Sequence, residues 1–422
     1  SLGANATAAV AINASPTWLI SSILSAIGVG YSVQVAHSIG AKDKQATARI
    51  VRQALLAVLF MGISIMLICL LIAPHLPKWM GAQPDVLPDA VRYLQIYVLS
   101  LPFQCGSYTF SAVLRCMGDT KTPLILNTAA NLLNVVLNFF LIFPTRPLEL
   151  FGMSFTVPGA GWGVAGAAIA TDISQLLSAV LCMLYLMRVN ESYKVVLRKI
   201  RIHKTVAIRI IQVGVPTAIQ NTVISFANVL VQASVNSYGA LAMAGFAAYI
   251  KIDGFNILPV MSFSMAATTF SGQNYGAGNM ERVRKGMRVT VAMGVIYCIC
   301  VGSILLLFAH PLIGIFSKDP TVIEFGVRAM LYFCPFYFLL AIMHGLAGAI
   351  RGIGKSVPPM VIILFSLCVY RVIWIRLAVP HIPTIDGVYM VYPISWLIGA
   401  ILMVVYTKTT FPKQALTQNI SL

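Results

Sequence analysis

Apolar residues run through this chain in long uninterrupted blocks. Segments at about 14–38, 49–73, 91–117, 121–143, 162–187, 206–236, 240–270, 286–309, 326–350, 356–379 and 390–407 are apolar over most of their length, with short polar stretches between them. A helix that crosses the hydrocarbon core of a bilayer needs about 20 such residues. The blocks are continuous, not alternating, so they predict helices and not barrel strands; in lipid every backbone N–H and C=O must be paired internally. The pattern predicts an all-α integral membrane protein with eleven spanning helices.

The blocks repeat. Gly40-Ala41 recurs as Gly276-Ala277, Arg52 as Arg288, Pro84 as Pro320, Val91-Arg92 as Val327-Arg328, Arg115 as Arg351, Gly118 as Gly354 and Pro123 as Pro359, all at a separation of 236 without a gap. Two homologous lobes follow, an organisation common in secondary transporters. At that offset the partner of block 206–236 falls ahead of Ser1, and Ser1 to Ala11 reads as an interhelical loop. The expectation is therefore six helices per lobe with the first one missing, giving parallel repeats about an axis along the membrane normal. The lobes are expected at 1–188 and 206–409, joined by a cytoplasmic linker at 189–205 and followed by a tail at 410–422. Ser1 to Gly28 lacks the basic leader of a cleavable signal peptide.

Composition agrees with a lipid solvent: 59% of residues are hydrophobic and 10% charged, with a mean hydropathy of +0.86. The net charge of +17 changes the picture only through its placement. Alternate loops, from Lys42 to Arg52 through Arg188 to Arg209 and on to Lys408 and Lys413, carry 21 of the 29 Lys and Arg, whereas the opposite side has Lys78, Arg92, Arg146, Lys318 and Arg328. By the positive-inside rule the first set and the C-terminus are cytoplasmic, with the spans expected in the cell inner (plasma) membrane. Charge split among short loops excludes nucleic acid as a partner, and the basic linker is expected to lie on anionic lipid headgroups. Eight cysteines inside apolar blocks, without CxxC, read as small core residues; six scattered histidines offer no metal motif. Gly354-Lys355-Ser356 is not a phosphate loop, because Ala349 stands where its first glycine is required.

The chemistry then rests on polar groups at membrane depth. Of twelve acidic residues, ten fall in loops or at helix ends; Asp172 and Asp253 do not. An intramembrane carboxylate is expensive and is a functional candidate by default, although a helix-packing hydrogen bond, or for Asp253 a structural ion pair with a Lys or Arg on another helix, is the plainer reading. Asn127, Asn131, Asn134 and Asn138 follow at spacings of four, three and four, a carboxamide stripe on one helix face. Such a stripe lines a cation or substrate path, or bonds neighbouring helices. Gly159, Gly161, Gly163 and Gly166 precede the next block and predict close backbone packing there.

The turns Gly40-Ala41-Lys42-Asp43 and Gly276-Ala277-Gly278-Asn279, the run Leu114-Arg115-Cys116-Met117-Gly118-Asp119-Thr120-Lys121-Thr122-Pro123 with its echo at Arg351 to Pro359, and Tyr392-Pro393-Ile394-Ser395-Trp396 together resemble the multidrug and toxic compound extrusion (MATE) family, in its DinF-like bacterial branch. The resemblance implies a MATE/MOP-type fold and a secondary antiporter, not an enzyme and without cofactor. It would export amphipathic, often cationic organic compounds in exchange for H+ or Na+, as a monomer among membrane lipids, by rocking two lobes about a central cavity. It also implies an Asn-x-x-x-Asp cation site on the fifth helix, where Asn134 matches and Asn138 replaces the acid. Asn134, Asn138, Asp172 and Asp253 are thus the ion-coupling candidates, with Asp172 expected to face the two asparagines. The seventh-helix acid of the NorM-like branch is absent, leaving Gln220, and Gln220, Tyr249 and Phe255 are the substrate candidates.

Two other classes fit the sequence less well. A flippase for lipid-linked precursors, from the same superfamily, needs several cations in its cavity, and only Lys251, Arg371 and Arg376 are placed for that. An intramembrane enzyme needs a converging catalytic cluster, and His37 and His344 have none in sequence.

Overall fold

A computed structural model describes residues 4–150, 153–188, 203–382 and 384–411. The helices in chain order are α1 (Ala4–Gly40), α2 (Lys44–Ile72), α3 (Leu76–Trp79), α4 (Leu87–Val98), α5 (Leu101–Cys116), α6 (Lys121–Leu141), α7 (Gly163–Arg188), α8 (Lys204–Asn236) and α9 (Ala240–Gly276). They continue as α10 (Met280–Leu307), α11 (Ala309–Gly314), α12 (Pro320–Phe333), α13 (Tyr337–Gly352), α14 (Val357–Leu364), α15 (Tyr370–Leu377), α16 (Asp386–Tyr389) and α17 (Val391–Thr410). Among the described residues, ten helical stretches are long and apolar enough to cross a membrane. Their outer faces carry Leu59, Phe60, Leu67, Leu71, Leu132, Val135, Ile296 and Leu307, all exposed. Side chains of that kind turned outward along whole helices are stable against lipid and not against water.

The repeat holds end to end for several helices. At an offset of 236, α1 falls on α9, α5 on α13, and α6 on α14 through α15, with identical ends. The turns repeat as well. Lys42 and Gly278 both have positive φ, at 56° and 71°, and so do Gly118 and Gly354, at 88° and 87°. Lys42 accepts a conformation that glycine adopts more readily. Asp43 then caps α2 by accepting from the Ala46 amide at 2.8 Å, and Asn279 caps α10 by accepting from Arg282 at 3.0 Å.

Three sequence expectations need correction. Block 91–117 is two helices, α4 and α5, and block 326–350 is likewise α12 and α13 about a 3-10 turn at Cys334–Phe336. Pro102 and Pro335 sit just past the breaks and lack the N–H that would bond back across them. Residues 4–11 are helix and not loop. Alanines there favour the helix, and the Asn13 side chain donates to the carbonyls of Ala9 and Ala90, both at 2.9 Å, tying this stretch to α4. A short antiparallel hairpin, β1 (Pro144–Leu150) with β2 (Met153–Ala160), connects α6 to α7 in a membrane fold whose spans are all helical. Residues 189–202 of the expected linker and 412–422 of the tail lie outside the described residues.

The four glycines from the end of β2 into the first turn of α7 divide in use. A Cβ on Gly159 would lie 2.1 Å from the Phe143 carbonyl oxygen, and one on Gly166 would lie 2.6 Å from that of Leu141, so these two allow close packing. Gly161 and Gly163 supply left-handed turns, with φ of 65° and 55°.

The chain divides into two compact units, Ser1–Val35 with Asp43–Ala218, and Ala36–Lys42 with Ile219–Leu422. The first includes the start of α8: Gln53 on α2 bonds the backbone of His203, and a Cβ on Gly30 of α1 would lie 2.7 Å from the Ile210 carbonyl oxygen. The core of the second is aromatic around Phe246, Tyr249, Phe333, Tyr337, Tyr389 and Trp396. His37, which belongs to the second unit, bonds the Gly352 carbonyl at 2.6 Å, and His344 is buried there.

Candidate functional site

In the first unit the asparagines of α6 separate into different roles. Asn127 is held by serines: Ser178 donates to its Oδ1 at 2.6 Å and Ser107 at 3.3 Å, while its Nδ2 donates to Ser111 at 3.3 Å. This network joins α5, α6 and α7. Asn131 is exposed. Asn134 donates to the Thr171 hydroxyl of α7 at 3.4 Å, and Asn138 donates to Asn134 at 3.0 Å, leaving the Asn138 Oδ1 buried without a partner. The expected stripe is therefore three packed amides and one outward amide.

Asp172 does not take the place expected for it opposite the asparagines. Its neighbour Thr171 does. One residue is about 100° round a helix, and Asp172 accordingly lies beside Ser100, at the break between α4 and α5, and within electrostatic reach of Tyr93 of α4. Its Oδ1 is buried and unpartnered. Ser100 is itself engaged with the Tyr97 carbonyl at 2.6 Å and with Gln104 at 2.8 Å. The helix break thus brings a polar patch to the one carboxylate of α7.

In the second unit Asp253 of α9 accepts from the Tyr249 hydroxyl at 3.0 Å, and the Tyr249 and Tyr337 hydroxyls are hydrogen-bonded. A phenol has one proton to give, so Tyr337 donates to Tyr249 and Tyr249 to the carboxylate. The structural pair with Lys or Arg weighed for Asp253 is not formed. Lys251 and Arg376 are exposed, and the ion pair recorded among the described residues joins Arg328 to Asp386. Of the substrate candidates, Tyr249 is buried beside Phe246 and Phe333, and Gln220 is buried with its Oε1 unpartnered. Phe255 is 65% exposed, because two residues from Asp253 is about 200° round α9. The three do not share one face.

One group escaped the sequence reading, and a second, Arg371, entered it only as a possible flippase cation. Asn256, one turn beyond Asp253, is fully buried with both amide atoms unpartnered. Its spacing of three from Asp253 was the available signal. Arg371 of α15 is 3% exposed; its Nε donates to Ser395 at 3.2 Å, its Nη1 to Asn228 at 3.1 Å, and its guanidinium lies 4.4 Å from the Tyr392 ring centre.

The sequence matches the MatE family over residues 1–140 and 216–375. It is 31% identical over 360 residues to the probable multidrug resistance protein NorM of Thermotoga maritima, covering 84% of this chain and 74% of that one. Identity to the FAD transporter of Shewanella oneidensis is 26% over 405 residues, 95% of this chain and 86% of that one. In fold the chain is similar to a crystal structure of MATE in the straight conformation, with a TM-score of 0.87 at 22% identity over 97% of this chain and 89% of the other.

Proposed function

Because the chain belongs to the MatE family of membrane transporters, we propose that it is a cation-coupled antiporter that exports small amphipathic organic compounds and that Asp253 couples the ion. The observation that carries this reading is the carboxylate itself. Asp253 sits in a helix of membrane-spanning length and composition, is bonded to a phenol, and has no cationic partner among the described residues. A carboxylate held in that way can bind and release a proton or Na+ as its surroundings change, and a structural ion pair cannot do so freely. Rocking of an N-terminal lobe at 1–188 against a C-terminal lobe at 206–409, in the plasma membrane with a cytoplasmic C-terminus, completes the proposal. Relatives named for multidrug resistance and multidrug export support drug-like cargo.

The test is ethidium efflux from everted membrane vesicles energised by a pH gradient or a Na+ gradient. Asp253→Asn is expected to lower efflux at least tenfold under whichever gradient drives the unmodified protein, at equal expression. Efflux undiminished under both gradients would reduce Asp253 to a structural residue.

A further inference from the structure

We propose that Arg371 makes the second unit a binding place for the carboxylate or phosphate of an aromatic substrate, so that the cargo includes amphipathic anions and zwitterions. This deepens the export reading, and it starts from a place where two repeated helices with identical ends differ in shape.

Helix α6 is regular from Lys121 to Leu141, whereas its repeat contains a π-helical turn at Phe365–Val369 between α14 and α15. Up to the start of that turn the same positions face inward: Pro123 and Ala130 are buried, and so are Pro359 before the turn and Ser366 at its second residue. After it the inward face falls one residue later. Val135 is 65% exposed, and its counterpart Arg371 is 3% exposed; half-buried Leu137 matches Ile373, 48% exposed. The wide turn absorbs one residue, so Arg371 occupies the place that Asn134 has in the first repeat. Wide turns of this kind are frequent at functional sites. Both residues then bond a hydroxyl on a later helix of their own repeat, Thr171 for Asn134 and Ser395 for Arg371.

The exchange of an amide for a guanidinium puts a full charge where the first repeat has none. Its contacts are a hydroxyl, a carboxamide oxygen and a tyrosine face, with no carboxylate among the described residues. A guanidinium has five N–H donors, and the recorded bonds use two groups, Nε and Nη1. A buried charge without a counter-ion is strongly unfavourable and becomes favourable when an anion binds in bidentate geometry. The neighbouring rings suit an aromatic body: Tyr392 lies 4.6 Å from Phe333 and 5.8 Å from Trp396, centre to centre. Asp253 is the internal rival as counter-ion, but its recorded bond goes to Tyr249.

The probes are fluorescein as an aromatic anion and ethidium as an aromatic cation, titrated by fluorescence polarisation against the purified full chain in a non-ionic detergent. In Arg371→Gln the ratio of the ethidium Kd to the fluorescein Kd is expected to fall at least tenfold, and Arg371→Lys to fall between Gln and the unmodified protein. An unchanged ratio, or loss of both dyes by the same factor, overturns the proposal. Should the Gln variant fail to fold, displacement on the unmodified protein decides: benzoate or phenyl phosphate is expected to displace fluorescein, each marking its own anion class. Displacement by benzylamine as readily as by both anions overturns the proposal. Anion preference without ethidium export in vesicles breaks the export reading alone; ethidium export without anion preference breaks this inference alone.

Discussion

The two repeats place polar groups on corresponding helices and fill them with opposite chemistry. In the first, Asn134 and Asn138 form a neutral pair against Thr171, and the carboxylate of Asp172 is turned away toward Ser100. In the second, a guanidinium occupies the asparagine's place and the carboxylate of Asp253 sits on a phenol relay from Tyr337 through Tyr249. Duplication keeps the helices, caps and turns in register, while charge is free to move between them. A site inferred by carrying one repeat's pattern onto the other would therefore misplace both charges.

The largest expected effect separates the carboxylates. If the phenol-bound carboxylate drives coupling, Asp253→Asn removes at least tenfold of gradient-driven ethidium efflux and Asp172→Asn removes several-fold less. Equal losses in the two variants would make the repeats alike and break the comparison at its centre. Neither change removes a recorded ion pair, so a difference in efflux at equal expression reports on ion handling and not on a lost salt bridge.

Next in size is a loss of stability in the first repeat. Asn127→Leu removes the amide that Ser107, Ser111 and Ser178 bond, leaving Ser107 and Ser178 only each other at 2.7 Å and Ser111 only the Cys182 thiol at 3.9 Å. A buried hydroxyl left without its partner costs about 1–3 kcal/mol, so the purified variant is expected to melt several degrees lower while retaining efflux. A melting temperature equal to that of the unmodified protein would show that the network does not hold α5, α6 and α7 together.

Much of this architecture was legible before any coordinates. The offset of 236 fixed the register of α1 with α9 and of α5 with α13, because caps and left-handed turns such as Asp43 and Gly118 recur with it. Apolar length alone gave the membrane class, and the isolation of Asp172 and Asp253 was plain from composition. The helix breaks at Leu99–Ser100 and Cys334–Phe336 were hidden, since a bend inside an apolar run does not change its hydropathy. The π turn was hidden for a related reason: an extra residue within a wide turn leaves the gapless offset intact while rotating everything beyond it. The hydrophobic pattern also could not say which asparagine of a stripe faces protein and which faces lipid, because both faces of such a helix are apolar.

A smaller effect is expected where the first repeat lacks a charge. Asn138 stands where the resemblance calls for an acid, its Nδ2 bonds Asn134, and its Oδ1 is buried without a partner. In Asn138→Asp the protonated carboxyl can keep one bond to Asn134 and the ionised one can hold a cation. Export is expected to stay within about threefold of the unmodified protein, a change of about 0.6 kcal/mol, with a changed dependence on Na+ or pH in vesicles. Abolished export would mean that the neutral pair is required as it stands, and the two repeats would then differ by necessity.

The smallest expected effect concerns Asn131, four residues from Asn127 on the same helix. A spacing of four rotates about 40° beyond a full turn, enough on a helix this lightly covered to leave Asn131 exposed while Asn127 is enclosed by serines. An exposed amide in a membrane-length helix has lost no protein partner when it is replaced, and its side chain gains favourable transfer into lipid when it becomes apolar. Asn131→Leu is therefore expected to leave efflux unaltered and to keep the melting temperature of the purified protein at or slightly above that of the unmodified chain, in contrast to Asn127→Leu. A loss of efflux in Asn131→Leu with the fold intact would mean that this face of α6 turns toward the transport path and not toward lipid, and it would return the asparagine stripe to a single functional row.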